Sequence, residues 1–251
     1  MKIRTLPKYI GYALLFAMPA FIAAKFDKKI LPPALPTVTY YLPSKEFKAE
    51  AREMFVNELY NTIHLGELGL QKNVLNLAME GFSKLSIKGR LNKDSILTIV
   101  DFSKSSREKR LFVIDLKNEI LLFNTLVAHG RNSGMEYARS FSNAMSSNKS
   151  SLGFYVTQAT YSGENGYSLR LQGVERNIND KALRRSIVVH GADYADSRFV
   201  ETRGMLGRSF GCPAIPMGEH TAIIDAIKNG SCLFIYSPDK KYLKLSTVLN
   251  G

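Results

Sequence analysis

The stretch IVVHGADYADSRFVETRGMLGRSFGCPAIP, residues 187–216, holds one of the chain's four histidines, His190, and one of its two cysteines, Cys212. A thiol and an imidazole among glycines are the raw material of nucleophilic acyl transfer. That chemistry needs a sulfur that gives up its proton, a base that takes it, and backbone N–H groups aimed at the oxygen that becomes negative. His190 closes an apolar run, SIVVH, and Gly191 after it lets another group approach the backbone. In Ser209–Phe210–Gly211–Cys212 the glycine removes bulk, so the Gly211 and Cys212 amides are candidates for an oxyanion hole, and Pro213 stiffens the exit. Gly204 and Gly207 suit a loop that folds back to bring sulfur to imidazole. A sulfur activated in this way is expected to react below the unperturbed thiol value of about 8.5. The pair alone leaves a second reading open, because free cysteines are usually small buried hydrophobes.

The elements that must position these groups change character along the chain. Residues 45–85 carry helical periodicity: Phe47, Ala51, Met54, Phe55 and Leu59, with Ser44 as N-cap, then a second face after Gly66 and Gly69 formed by Val74, Leu75, Ala78, Met79, Phe82 and Leu85. From Ser95 the texture is β: SILTIVDF, RLFVIDL, EILLFNTLVAH, GFYVTQATY, YSLRLQG, SIVVH, CLFIYS and a C-terminal run over residues 242–248. A turn signal in LKNEI predicts a hairpin between the second and third runs, and GENG separates GFYVTQATY from YSLRLQG. MGEHTAIIDAIKNG predicts one helix, with Gly230 able to end it. The SREKR stretch, residues 106–110, is expected to be a solvated turn. The expected class is mainly β, with an N-terminal helical region over residues 44–90 and the β-rich part over 91–251.

With 45% hydrophobic residues and interspersed charge, the 251-residue chain suits one substantial globular domain. Two cysteines exclude a disulfide scaffold, no CxxC pair suggests zinc, and Cys232 is expected to be a free thiol. Lys2, Arg4 and Lys8 precede the apolar stretch Tyr9–Ala24, the order of an export signal. The stretch is shorter than the roughly 20 residues of a membrane span. Ile22 makes a poor cleavage site, so an uncleaved anchor with membrane contact stays open beside a cleaved signal. Residues 25–43, with LPPALP, read as a linker. The expectation is an exported protein of the periplasm or cell envelope. Formal charge is +12, of which Lys2, Arg4 and Lys8 carry three, leaving +9 on the rest. Such a surface attracts anionic polymers, and no nucleic-acid motif is present.

Several segments in order, TIVDFSKSSREKRLFVIDL, LVAHGRNSG, SSLGFYVT, YSLRLQGVE, IVVHGADY and GRSFGCPAIP, resemble the murein L,D-transpeptidase catalytic domain family in its less common branch. The resemblance spans residues 96–216 and implies a β-sandwich or barrel. It also implies that Cys212 forms a thioester with a peptidoglycan stem peptide and releases D-Ala. His190 would be the base, Ser209 would order the site, and the Gly211 and Cys212 amides would hold the oxyanion. A backbone carbonyl would orient the imidazole, and no metal or cofactor is implied. An amine acceptor gives a 3→3 cross-link; water gives an L,D-carboxypeptidase or endopeptidase. Phe210 and Pro213–Ala214 depart from the common family pattern, which leaves a non-catalytic wall-binding protein as the rival reading.

Around the motif, Arg208 is the preferred clamp for a stem carboxylate, with Arg131 and Arg185 nearby. His129 closes a second strand-like run before Gly130 and is a candidate binding residue or a structural histidine; Gly191 is a candidate for substrate contact. His220 is expected on a solvent-facing helix position, Asp193 and Asp196 as loop caps, and Tyr167 and Tyr194 either at the cleft border or in edge packing.

Overall fold

The computed structural model describes residues 45–251, with side chains from Ala49 onward. The export, anchor and linker readings of residues 1–43 and the Ser44 cap lie outside the described residues. No helix among the described residues is long and apolar enough to cross a membrane.

Two helices open the described chain, α1 (Lys45–Thr62) and α2 (Lys72–Ile87). Between them His64 (φ 51°) and Gly69 (φ 82°) take left-handed conformations that stop one helix and turn the chain into the next. The α2 face predicted from spacing is the buried one: Val74, Leu75, Ala78, Met79, Phe82 and Leu85 all point into the core. Each large side chain on it contributes about 1.5–3 kcal/mol by leaving water. Gly81 lets this face seat directly on the Phe154 ring, where a side chain would overlap it.

Eight strands follow: β1 (Ile96–Asp101), β2 (Leu111–Asp115), β3 (Ile120–Thr125), β4 (Gly153–Gly163), β5 (Gly166–Gly173), β6 (Val188–Gly191), β7 (Ala214–Ile215) and β8 (Cys232–Tyr236). They form one sheet in the order β3-β2-β1-β8-β4-β5-β6-β7. β1 and β8 are buried at every position, as central strands covered on both faces must be, and they pair in parallel. The predicted β2–β3 hairpin is present, and β4 and β5 form a second one across GENG. Past the end of β3 the chain stays extended, and Ala128 bridges Ala214 of β7. That bridge joins the two sheet edges into a barrel. Pro43–Gly251 is a single compact unit, so α1 and α2 belong to the same body as the sheet.

Three further helices complete it: α3 (Ser197–Arg203), α4 (His220–Ile227) and α5 (Lys240–Leu245). α4 is the helix predicted from MGEHTAIIDAIKNG. α3 was not legible; the Asp196 carboxylate caps it by accepting from Arg198 N–H at 3.0 Å. The expected C-terminal strand is instead α5. Asp239 accepts from Tyr242 N–H at 2.8 Å as an N-cap. The buried Glu175 carboxylate gathers the Tyr242 hydroxyl (3.3 Å), the Ser246 hydroxyl and the Phe154 N–H (2.7 Å), which ties the C-terminal segment to β4. The SREKR stretch also departs from expectation. Residues 107–109 are exposed, but Ser106 and Arg110 at its ends have no accessible surface.

Candidate active site

β6 and β7 run parallel, with His190 opposite Ala214 and Gly191 opposite Ile215. Cys212 comes two residues before Ala214 and stands beside Val188, whose N–H donates to its sulfur at 3.5 Å. The thiol in turn donates to Ser186 O at 3.6 Å. Imidazole and thiol therefore sit on neighbouring segments, two residues out of step, or roughly 7 Å along a strand. In this conformation the thiol is bonded to the backbone of Val188 and Ser186 and is largely buried.

The turn before Cys212 is closed by one hydroxyl. Ser209 Oγ accepts from Gly211 N–H at 3.0 Å and donates to Cys212 O at 2.6 Å. The Gly211 N–H is already engaged, and the Cys212 N–H is the one without a partner among the described residues. Gly211 has φ 126°, and a Cβ there would meet Lys149 O at 2.9 Å, so only glycine fits. Ser150 stitches the same turn to the strand beyond β3: its hydroxyl accepts from Gly130 N–H at 3.0 Å and donates to Gly211 O at 3.2 Å. Ser209 itself is held from both sides, its N–H by His129 O (3.0 Å) and its carbonyl by Arg131 N–H (2.7 Å).

His190 is 4% exposed. Its Nδ1 donates to the Gly191 carbonyl at 3.0 Å, the backbone carbonyl that the sequence left unnamed. That bond leaves Nε2 as the lone-pair nitrogen, the form a base requires. Burial holds the imidazole below its ordinary range, with the nearby His220 adding to the effect against the Gly191 bond, so the ring is neutral at pH 7. Gly191 is not a surface contact: a Cβ there would meet Met217 Sδ at 2.6 Å and His220 Cγ at 2.7 Å. His220 thus packs against the back of the His190 strand instead of facing solvent alone, with Nδ1 donating to Met217 O at 2.7 Å.

Burial pushes the Cys212 thiol up, opposed by the Val188 N–H and by the charge of Arg185. Cys212 is 9% exposed, so a thiolate there would lose most of its hydration. Arg185 is no free clamp. Its guanidinium donates to Lys149 O (2.6 Å), Ser142 O (2.8 Å) and Ser151 Oγ (2.5 Å), and it lies under the Gly211 turn. Tyr194 also borders this site: burial first, and Cys212 second, push its phenol up to about 12. Tyr167 is in edge packing, bonded to Asp225 at 2.6 Å.

His129 is not a cleft residue. It has no exposed surface. Its Nδ1 accepts from Arg110 Nη2 at 2.9 Å and its Nε2 faces Gly134 O at 3.4 Å. Burial first, then the adjacent guanidinium, pull it down to about 4. Arg110 also donates to Val127 O (2.7 Å and 3.0 Å) and Lys104 O (2.8 Å), and its guanidinium lies 4.9 Å over the Phe102 ring. It pins the 127–129 strand, which holds both ends of the nucleophile loop through Ser209 and Ala214. Arg110 and Ser150 are the site residues that sequence reasoning missed. The only cue for Arg110 was its position directly before an apolar strand. Arg208 and Arg131 are at the surface, on the rim of a groove beside the loop. Both cysteines are free thiols, Cys232 fully buried in β8.

A family model of the L,D-transpeptidase catalytic domain matches residues 67–236, and the chain belongs to that family. No curated protein is similar enough to count as a match. Among solved structures, an L,D-transpeptidase from Mycobacterium smegmatis is 12% identical (TM-score 0.36), over 57% of this chain and 59% of that one. L,D-transpeptidase 3 from Mycobacterium tuberculosis is 11% identical (TM-score 0.37), over 57% and 61%. An L,D-transpeptidase from Stackebrandtia nassauensis is 12% identical (TM-score 0.35), over 65% and 66%. The aligned part thus spans about three fifths of the first two structures.

Proposed function

We propose that the protein is a peptidoglycan L,D-transpeptidase that works through a thioester on Cys212. The observation that carries this reading is the pairing of His190, fixed by the Gly191 carbonyl with Nε2 free, with a cysteine on the adjoining segment whose turn is locked by Ser209. Rotation of the Cys212 side chain brings sulfur toward the imidazole. His190 Nε2 takes the thiol proton as sulfur bonds to the carbonyl carbon between the third stem residue and its terminal D-Ala. The Cys212 N–H donates to the developing oxyanion. The carbon–nitrogen bond then breaks, the proton passes from His190 to the departing D-Ala amine, and the thioester remains. An amine of a second stem attacks it, gives its proton to His190, and frees the thiol as a 3→3 cross-link forms. Lys2, Arg4 and Lys8 ahead of Tyr9–Ala24 support export to the cell envelope, where that substrate stands.

The test is mass spectrometry of the protein mixed with disaccharide-tetrapeptide stems, with Cys212→Ala as control. Loss of D-Ala with an adduct on Cys212 is the expected result. Cross-linked dimers identify a transferase, and free tripeptides a carboxypeptidase. Absence of both adduct and product, with the protein still sedimenting with intact wall, would contradict the enzymatic reading and favour a wall-binding role.

A further inference from the structure

The loop leading into the nucleophile carries guanidinium groups that no carboxylate among the described residues neutralises. A groove of ≈ 510 Å³ is lined by Arg131, Arg203 and Arg208 together with Phe199, Met205 and Phe210, and no carboxylate lines it. Arg198 with Asp196 is the one arginine–carboxylate ion pair among the described residues, so none of these three has an acidic partner there. Arg208 uses Nη1 on the carbonyls of Arg131 (3.3 Å) and Gly134 (3.2 Å), which fixes it on the rim. Arg131 lies 5.4 Å over the ring of Phe210, a residue that is 67% exposed. A guanidinium stacked on an aromatic face keeps its edge N–H groups free and oriented for a planar, two-oxygen acceptor.

The geometry points to a carboxylate-recognition subsite. It takes a peptide segment whose free carboxylate is gripped by Arg131 and Arg203 while its apolar part lies on Phe210 and Phe199. Charge complementarity selects an acidic occupant, and the exposed Phe210 beside the half-buried Phe199 selects one with an apolar chain over a bare inorganic anion. Phe210 stands two residues before Cys212, so the groove adjoins the loop that carries the nucleophile. The inference rests on the reading of Cys212 as the nucleophile that the peptide approaches, and it makes Arg131, Arg203 and Phe210 specificity-determining residues.

The experiment measures binding apart from chemistry. The full chain carrying Cys212→Ala is titrated calorimetrically with two otherwise identical tetrapeptide stems, one with free carboxylates and one with them amidated. The free form is expected to bind at least about tenfold tighter, the equivalent of about 1.4 kcal/mol. The Arg131→Gln/Arg203→Gln double variant, at exposed positions, removes that preference, and Phe210→Ala weakens both peptides alike. Equal binding of the two stems overturns the proposal, as does a preference that survives the double variant. Displacement of the peptide by an equal concentration of inorganic phosphate also overturns it, in favour of a general anion site. Thioester formation is followed separately with Cys212 intact. Its absence alongside a clear carboxylate preference removes the nucleophile reading and leaves the subsite, and the reverse result removes only the subsite.

Discussion

Two segments of this chain share one local pattern, Val127–Ala128–His129–Gly130 and Val188–Val189–His190–Gly191. Each ends an extended run, each histidine is buried, and each glycine permits a close approach. Their surroundings separate them. His129 meets a buried guanidinium on Nδ1 and a carbonyl near Nε2, so neither nitrogen is left for a substrate. His190 meets only the Gly191 carbonyl on Nδ1, so Nε2 keeps its lone pair beside the segment that bears Cys212. The same side chain is a fastener in one place and a base in the other. What decides it is which atoms arrive from distant parts of the sequence, Arg110 in one case and the loop of residues 209–212 in the other.

The largest expected effect follows from removing the reactive pair. Cys212→Ser takes stem turnover below detection, and His190→Ala lowers the acylation rate roughly a thousandfold, within the range for loss of a general base. Both variants keep the wild-type circular dichroism spectrum. His129→Gln, whose amide oxygen still accepts from Arg110, changes that rate less than tenfold. A loss as deep as that of His190→Ala would erase the contrast between the two histidines.

Next in size is the fastener itself. Arg110→Met leaves Val127 O, Lys104 O and His129 Nδ1 without their buried donor. At about 1–3 kcal/mol for each unsatisfied group, it is expected to destabilise the fold by about 3 kcal/mol or more in urea unfolding. An unfolding midpoint close to wild type would show that Arg110 does not hold the strand.

A pH effect sharpens the comparison. His129 is held down to about 4, so the unfolded chain binds its proton first as pH falls below about 6.5. The stability associated with neutral His129 is fully present above that value and is lost as pH drops through about 4. The whole shift corresponds to about 3 kcal/mol. Arg110, and more distantly Arg208, face the ring and oppose its charging. In His129→Gln the loss of stability between pH 6.5 and 4 is therefore smaller than in the parent chain, measured by urea titration at each pH. Parallel curves would contradict the assignment. The smallest effect is expected from Cys232→Ala, which removes one buried sulfur from β8 at a cost of about 1 kcal/mol and leaves acylation unchanged.

Much of this was legible in the sequence because it is local. The α2 face, the β2–β3 hairpin, the helix after Cys212 and the His190–Cys212 stretch all follow from periodicity or turn residues within a few positions. What escaped reading depends on contacts across long separations. The C-terminal run took a helix because Glu175 collects its polar groups from about seventy residues away. Arg110 looked like the end of a solvated turn, since nothing near it announces that residues 127 and 129 need its N–H groups. That the Ser209 hydroxyl takes up the Gly211 N–H is a choice made by rotamer and not by spacing. The sulfur's orientation toward Val188 likewise has no sequence signal.

The most direct test of the account is the rate of thioester formation on Cys212, followed by intact-protein mass spectrometry with a tetrapeptide stem, in the wild-type, His190→Ala and His129→Gln proteins side by side. The account predicts an adduct in wild type and His129→Gln at rates within tenfold of each other, and almost none in His190→Ala. An adduct forming in His190→Ala as fast as in wild type would show that the imidazole at the end of β6 is not the base, and the assignment of the site would fall with it.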